Sequence, residues 1–200
     1  MTASKKDNFA GDLGTQDYEF KDELKIRKVL ERETDWQFKF SKNDKYAYDM
    51  AITKWGDSPQ SPDDNEVIGY VELERSRRDK KYSWVTGSIP ENWYYLSFLQ
   101  RKVRDYDHRT KCWEGLKKDY DRTVYMKFNH AMDNCFAASV ETIHQDGTQT
   151  KRSDGSYRGT YLALDKDHPD VHVGLSDCVE FIKNYLTKID KGQSRLSSYK

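Results

Sequence analysis

The sequence predicts an α/β (α+β) fold, a central mixed β-sheet flanked by helices, and three observations carry that expectation. Apolar residues recur at helical spacing near both ends of the chain. Between them lie short runs rich in Val, Ile, Tyr and Phe, bounded by turn residues, as strands require. Helices outside and strands inside form the layered arrangement that covers a sheet. A length of 200 residues is enough to bury one core.

The elements follow in order. Residues 1–16 hold two glycines and no apolar period, which predicts a flexible tail ahead of a single domain over 17–190. Phe20, Leu24, Ile26, Val29 and Leu30 set an apolar arc that predicts a helix over Tyr18–Glu33, with Glu23 and Arg27 projecting from within the arc. Trp36–Phe40, Tyr46–Thr53 and Val67–Arg75 read as strands. Gly56, Pro59 and Pro62 make the connection between the last two a long loop. Trp93–Leu99 is an aromatic segment, and residues 103–121 are charged and ambiguous between helix and loop. Val124–Phe128 and Phe136–Ile143 predict further strands, His144–Gly159 an exposed loop, and Tyr161–Leu164 a last strand. Leu175, Cys178, Val179, Ile182, Tyr185, Leu186 and Ile189 predict the closing helix, with Ser176 as its cap, Gly192 as its stop, and 191–200 as a second flexible tail.

Composition narrows the function classes. Apolar residues make up 36% of the chain and aromatics 14%, so a few large rings must anchor the core. The 34 basic and 34 acidic residues cancel, which excludes coating nucleic acid by bulk charge and leaves only local segregation of charge. No apolar run suits a signal or a membrane span, and Cys112, Cys135 and Cys178 show neither metal nor disulfide spacing. A cytoplasmic location is the expectation. The absence of a phosphate-cradling glycine motif argues against an NTPase or dinucleotide enzyme.

The main chemical clue is an acidic trio. In Tyr46–Thr53, Tyr48, Met50 and Ile52 form one apolar row, and Asp49 takes the opposite face between Ala47 and Ala51. In Val67–Arg75, Val67, Gly69, Val71 and Leu73 form one row while Glu72 and Glu74 share the other, roughly 7 Å apart. If these strands pair, Asp49 faces both. Converging carboxylates suit a hard divalent cation, Mg²⁺ or Mn²⁺, which activates water toward a phosphodiester. The plainer alternative is a solvent-facing acidic row that pairs with Arg75 or Arg77.

These residues resemble the PD-(D/E)XK nuclease superfamily, whose core carries an acidic residue on a helix, Asp on a strand, and Asp/Glu-x-Lys on the next strand. Glu23, Tyr48-Asp49-Met50 and Glu72-Leu73-Glu74 stand in that order, and the resemblance covers roughly residues 18–100. It implies Asp49 and Glu72 as metal ligands, assisted by Glu23. Two departures stand out: no proline precedes Asp49, and Glu74 replaces the lysine. Either Glu74 serves as base or ligand, or a lysine from elsewhere, Lys102 or Lys54, takes the role.

Two basic runs follow the acidic strand. Arg75, Arg77, Arg78, Lys80 and Lys81 face one acidic residue over 75–81, and seven basic residues including Arg101 and Arg104 face three acidic ones over 101–118. Both can grip phosphates. Trp93, Tyr94 and Tyr95 can stack on bases, although core packing is the expectation for them. Asp167–His172 and the His130, Asp133 and Cys135 group read as ordinary loop and core residues. Three readings therefore compete: a metal-dependent nuclease acting on nucleic acid, DNA rather than RNA and as a possible homodimer; an inactive module of the same fold that binds nucleic acid or a protein; and an interaction or structural protein whose carboxylates are merely exposed.

Overall fold

The computed structural model describes residues 23–34, 36–40, 48–54, 67–76, 84–107, 112–116, 119–150 and 160–190. Among them, helix α1 covers 23–33, inside the predicted first helix. Strands β1 (Trp36–Phe40), β2 (Met50–Lys54) and β3 (Val67–Arg75) follow. Next come β4 (Tyr95–Leu99), the short helix α2 (Gln100–Val103), β5 (Arg104–Asp107) and β6 (Cys112–Leu116). The chain continues through β7 (Thr123–Phe128), β8 (Cys135–Ser139), α3 (Val140–Asp146), β9 (Thr148–Thr150), β10 (Tyr161–Asp165), β11 (His172–Val173) and α4 (Leu175–Asp190). No helix among the described residues is long and apolar enough to cross a membrane.

The central sheet has the order β1-β2-β3-β7-β8-β11, with β3 and β7 parallel and the other neighbours antiparallel, so the sheet is mixed as expected. A second sheet runs β4-β10-β9, and β5 pairs with β6. Strand alternation gives the central sheet two buried faces. On one, Met50, Ile52, Val71, Leu73, Val124 and Met126 pack against Ile26 and Leu30 of α1 and Cys178, Ile182 and Leu186 of α4. On the other, Tyr70, Tyr125, Phe136 and Ala138 meet Leu96 and Phe98 of β4, Leu162 and Leu164 of β10, and Val140 and Ile143 of α3. Phe98 sits edge-on to Tyr125 and Phe136 at 5.2 and 5.3 Å, and Trp84 stacks on Phe136. The few large rings do anchor this face.

Several boundaries move for physical reasons. Tyr46 and Ala47 lie outside the described residues, and β2 begins at Met50, leaving Asp49 just ahead of it. Tyr48 therefore leaves the row of Met50 and Ile52 and packs 5.7 Å from Tyr70 on the opposite face. Ile52 pairs with Gly69 but Thr53 with Val67, so Ile68 is an extra residue in the ladder. That bulge carries Val67 to the Tyr70 face and Ile68 to the helical face, against simple alternation. The run Phe136–Ile143 is not one strand, because the Ser139 hydroxyl accepts the Thr142 N–H at 3.0 Å and starts α3. Residues 103–121 contain the β5–β6 pair, and Tyr161–Asp165 is followed by one more strand, β11. The predicted loop after His144 instead finishes α3 and enters β9, with 151–159 outside the described residues. Helix α4 starts at Leu175, one residue before Ser176. Gly192, both tails and the loop 55–66 fall outside the described residues.

Gly69 marks a close approach of helix and sheet. A Cβ there would press into Leu186 and sit 2.8 Å from the Arg122 carbonyl oxygen, a backbone atom that cannot rotate away. Gly69→Ala is expected to destabilise the protein by about 1–3 kcal/mol, the usual cost of overpacking. Urea unfolding checks it; a change under half a kcal/mol would show that β3 and α4 separate freely.

Candidate active site

The site lies on the face of β3 turned away from α1 and α4. Extending the β2–β3 register one step beyond the Met50–Val71 pair sets Asp49 opposite Glu72. There the Asp49 carboxylate replaces a ladder partner: its Oδ2 accepts the Leu73 N–H at 2.7 Å. Glu72 is 3% exposed, and the parallel register with β7 sets Tyr125 beside it and Lys127 beside Glu74.

Lys102 completes the group from α2. Strand β4 feeds straight into this helix, Gln100 N–H donates to the Thr160 carbonyl at 3.1 Å, and Val103 is buried. The pinned helix directs the Lys102 Nζ to Asp49 Oδ2 at 2.9 Å, to the Leu73 carbonyl oxygen at 2.6 Å, and to Glu72 Oε1. Burial pushes the ammonium toward neutrality, but the Glu72 and Asp49 carboxylates outweigh it and raise its pKa above the ordinary lysine value. Its stabilising contribution is therefore fully present below the unfolded lysine pKa, about 10.4, and is lost only as pH rises through the higher folded value. At neutral pH Lys102 is a charged clamp on two carboxylates.

Glu74 belongs to a neighbouring cluster. Its Oε1 faces Lys127 Nζ at 2.8 Å and its Oε2 accepts the Tyr125 hydroxyl. Lys127 also donates to the Ser97 carbonyl at 3.1 Å, and the Tyr125 oxygen accepts the Leu99 N–H at 3.3 Å, immediately before α2. Burial and the Glu74 carboxylate hold the Tyr125 phenol far above its usual pKa. The three acids thus divide, Asp49 and Glu72 on Lys102 and Glu74 on Lys127 and Tyr125. Tyr125 and Lys127 were not among the sequence candidates. Alternation within Val124–Phe128 sets both opposite the apolar row of Val124, Met126 and Phe128, and that was the available signal.

The other candidates scatter. Glu23 is half-buried at the start of the described part of α1, and among the described residues no three His, Cys, Asp or Glu side chains group closely enough to hold a metal ion. The Lys54 side chain lies outside the described residues, as do Arg77, Arg78, Lys80 and Lys81. Arg75 donates to the His130 carbonyl at 2.8 Å and so ties β3 to the turn after β7. Arg101 is exposed. Trp93 is half-buried, but Tyr94 and Tyr95 are 68% and 62% exposed, which overturns the expectation that they are core. His168 and His172 face different carboxylates, Asp146 at 3.5 Å and Asp177 at 3.4 Å, so that loop does not converge. Asp133 instead braces the segment before β4, accepting the Gly87 N–H at 3.1 Å and the Thr86 hydroxyl proton.

Arg104 is committed to α3. Its Nε donates to His144 Nδ1 at 2.9 Å and its Nη2 to the His144 carbonyl at 3.0 Å. An accepting Nδ1 places the imidazole proton on Nε2. Burial, then the Arg104 charge, lowers the His144 pKa. Below about pH 6.5 the unfolded chain takes up this proton first, so stability falls as pH falls until the folded histidine also titrates. The expected result is a shallower loss of stability between about pH 6.5 and 5 in His144→Gln than in the parent chain. Thermal melts across that range check it, and parallel curves would refute it.

No protein-family model matches the chain, and comparison with curated proteins gives no sequence match. Among solved structures, D212, a nuclease from a fusselovirus, aligns with a TM-score of 0.41 at 11% identity, covering 84% of this chain and 90% of that one.

Proposed function

We propose that this chain is a metal-dependent nuclease of the PD-(D/E)XK type that hydrolyses phosphodiester bonds, with DNA as the first substrate to test. The observation that carries the reading is Lys102. The acidic strand lacks the lysine that the resemblance requires, and α2 delivers one to Asp49 and Glu72 from 28 residues beyond Glu74.

The donor set fits the expected cation. Asp49 Oδ2, Glu72 Oε1 and the Leu73 carbonyl oxygen already converge on one positive charge, and all three are the hard oxygens that Mg²⁺ and Mn²⁺ take. A bound cation supplies Lewis-acid stabilisation of phosphoryl oxygen and a more acidic water. Asp49 and Glu72 would hold that cation where it can meet the reacting phosphate. Lys102 carries a permanent ammonium that offsets negative charge as it builds on the phosphoryl oxygens. Glu74, engaged by Tyr125 and Lys127, holds the floor of the site instead of acting as base.

The test is cleavage of single- and double-stranded DNA and RNA with Mg²⁺ or Mn²⁺. The expected result is metal-dependent cutting that falls by about 10²–10³ in Glu72→Gln. Equal rates in both proteins would remove Glu72 from the reaction. No cutting by the parent chain, with binding that weakens as salt rises, would instead establish the binding-module reading.

A further inference from the structure

An ammonium has three N–H bonds to donate, and those of Lys102 find three acceptors: Asp49 Oδ2, Glu72 Oε1 and the Leu73 carbonyl. Its hydrogen bonding is complete, and its side chain is 16% exposed. Two carboxylates on a largely buried face require a compensating charge. Lys127 does not supply it, being held on Glu74 and Ser97. Lys102 therefore places one positive charge directly between the two carboxylates, leaving the three groups together with a formal charge of about −1 that still favours a cation of higher charge.

These are the same three oxygens that would hold a divalent cation. A cation there would sit on top of the ammonium, and like charges at that separation repel strongly on a partly dry face. The lysine stem has four flexible carbons, so its head can leave while α2 stays pinned.

We propose that Lys102 is the resident counter-cation of this site and that a divalent cation binds by exchanging with it, displacing the ammonium from Asp49, Glu72 and Leu73. The inference rests on the metal site of the proposed nuclease but not on its chemistry. Metal binding is then a replacement of one cation by another, and the ammonium is released at the moment the cation arrives.

The experiment reads binding, with Mn²⁺ or Mg²⁺ alone as probe and no nucleic acid. Lys102→Met removes the competitor and keeps the stem, so calorimetric titration at fixed pH is expected to give Mn²⁺ binding at least tenfold tighter than in the parent chain. Adding Glu72→Gln to Lys102→Met is expected to abolish that gain. Equal or weaker binding by Lys102→Met would overturn the exchange, since the cation then binds beside the ammonium or elsewhere. Should that variant fail to fold, the parent chain decides. In ¹⁵N-lysine-labelled protein, Mg²⁺ is expected to shift or broaden the Lys102 ammonium resonance, and an unmoved resonance at saturating Mg²⁺ overturns the proposal. Exchange without cleavage would sink the nuclease reading alone, and cleavage without exchange would sink this inference alone.

Discussion

Lys102→Met is expected to lower the stability of the metal-free protein by about 3 kcal/mol, or about 6–12 °C in melting temperature for a chain of this size. Removing one partner of a buried ion pair costs about 3–5 kcal/mol because the other charge stays behind unpaired. Here two carboxylates stay behind, Glu72 almost wholly buried and Asp49 about a quarter exposed. Water at Asp49 places the effect near the lower end of that range. The Leu73 carbonyl loses its Lys102 donor as well.

The sign is distinctive. Lysine to methionine on a helix is nearly neutral in propensity and adds apolar surface, so a helix that merely packs would tolerate it. A double-mutant cycle isolates the electrostatic part: in a Glu72→Gln background the same substitution is expected to cost at least 1 kcal/mol less. Urea unfolding of the four proteins supplies the comparison. A loss under 1 kcal/mol for Lys102→Met, or perfect additivity with Glu72→Gln, would mean that the clamp contributes little in solution.

The sequence made the ladder partners legible but not the roof of the site. Strand alternation located Glu72 and Glu74 on one face, and a paired β2 and β3 set Asp49 opposite, because a two-residue period is a local property. It could not assign the acids to their cations. Lys102 reaches Asp49 and Glu72 only because β4, β10 and α3 cover that face and α2 ends over β3, a tertiary arrangement with no local signature. The same holds for Glu74, whose partners Lys127 and Tyr125 lie more than 50 residues away on a parallel neighbour. The misplaced end of the Phe136–Ile143 run has a local cause that was available, the Ser139 cap inside an apolar stretch; the exchanged faces of Val67 and Ile68 come from the register with β2, which was not. The exposure of Tyr94 and Tyr95 was not available. A residue entering an outer strand beside buried Leu96 and Phe98 has the composition of core without its environment.

Asp49 separates structure from chemistry, because one carboxylate serves both. Its Oδ2 accepts the Leu73 N–H and faces the Lys102 ammonium. Asp49→Ala removes both and leaves a backbone N–H without its partner, at an expected cost of about 2–3 kcal/mol. Asp49→Asn keeps an acceptor oxygen of the same reach and loses only the charge, so its expected cost is about half as large. For cleavage the ordering is different. An amide oxygen is a weak ligand for a hard cation and carries no charge against the ammonium, so both variants are expected to lose at least 10³-fold in rate. The pair therefore parts along two axes, unequal in unfolding and equal in catalysis. Cleavage by Asp49→Asn within tenfold of the parent rate would assign Asp49 to holding β3 alone, and the cation would then have to be held without it.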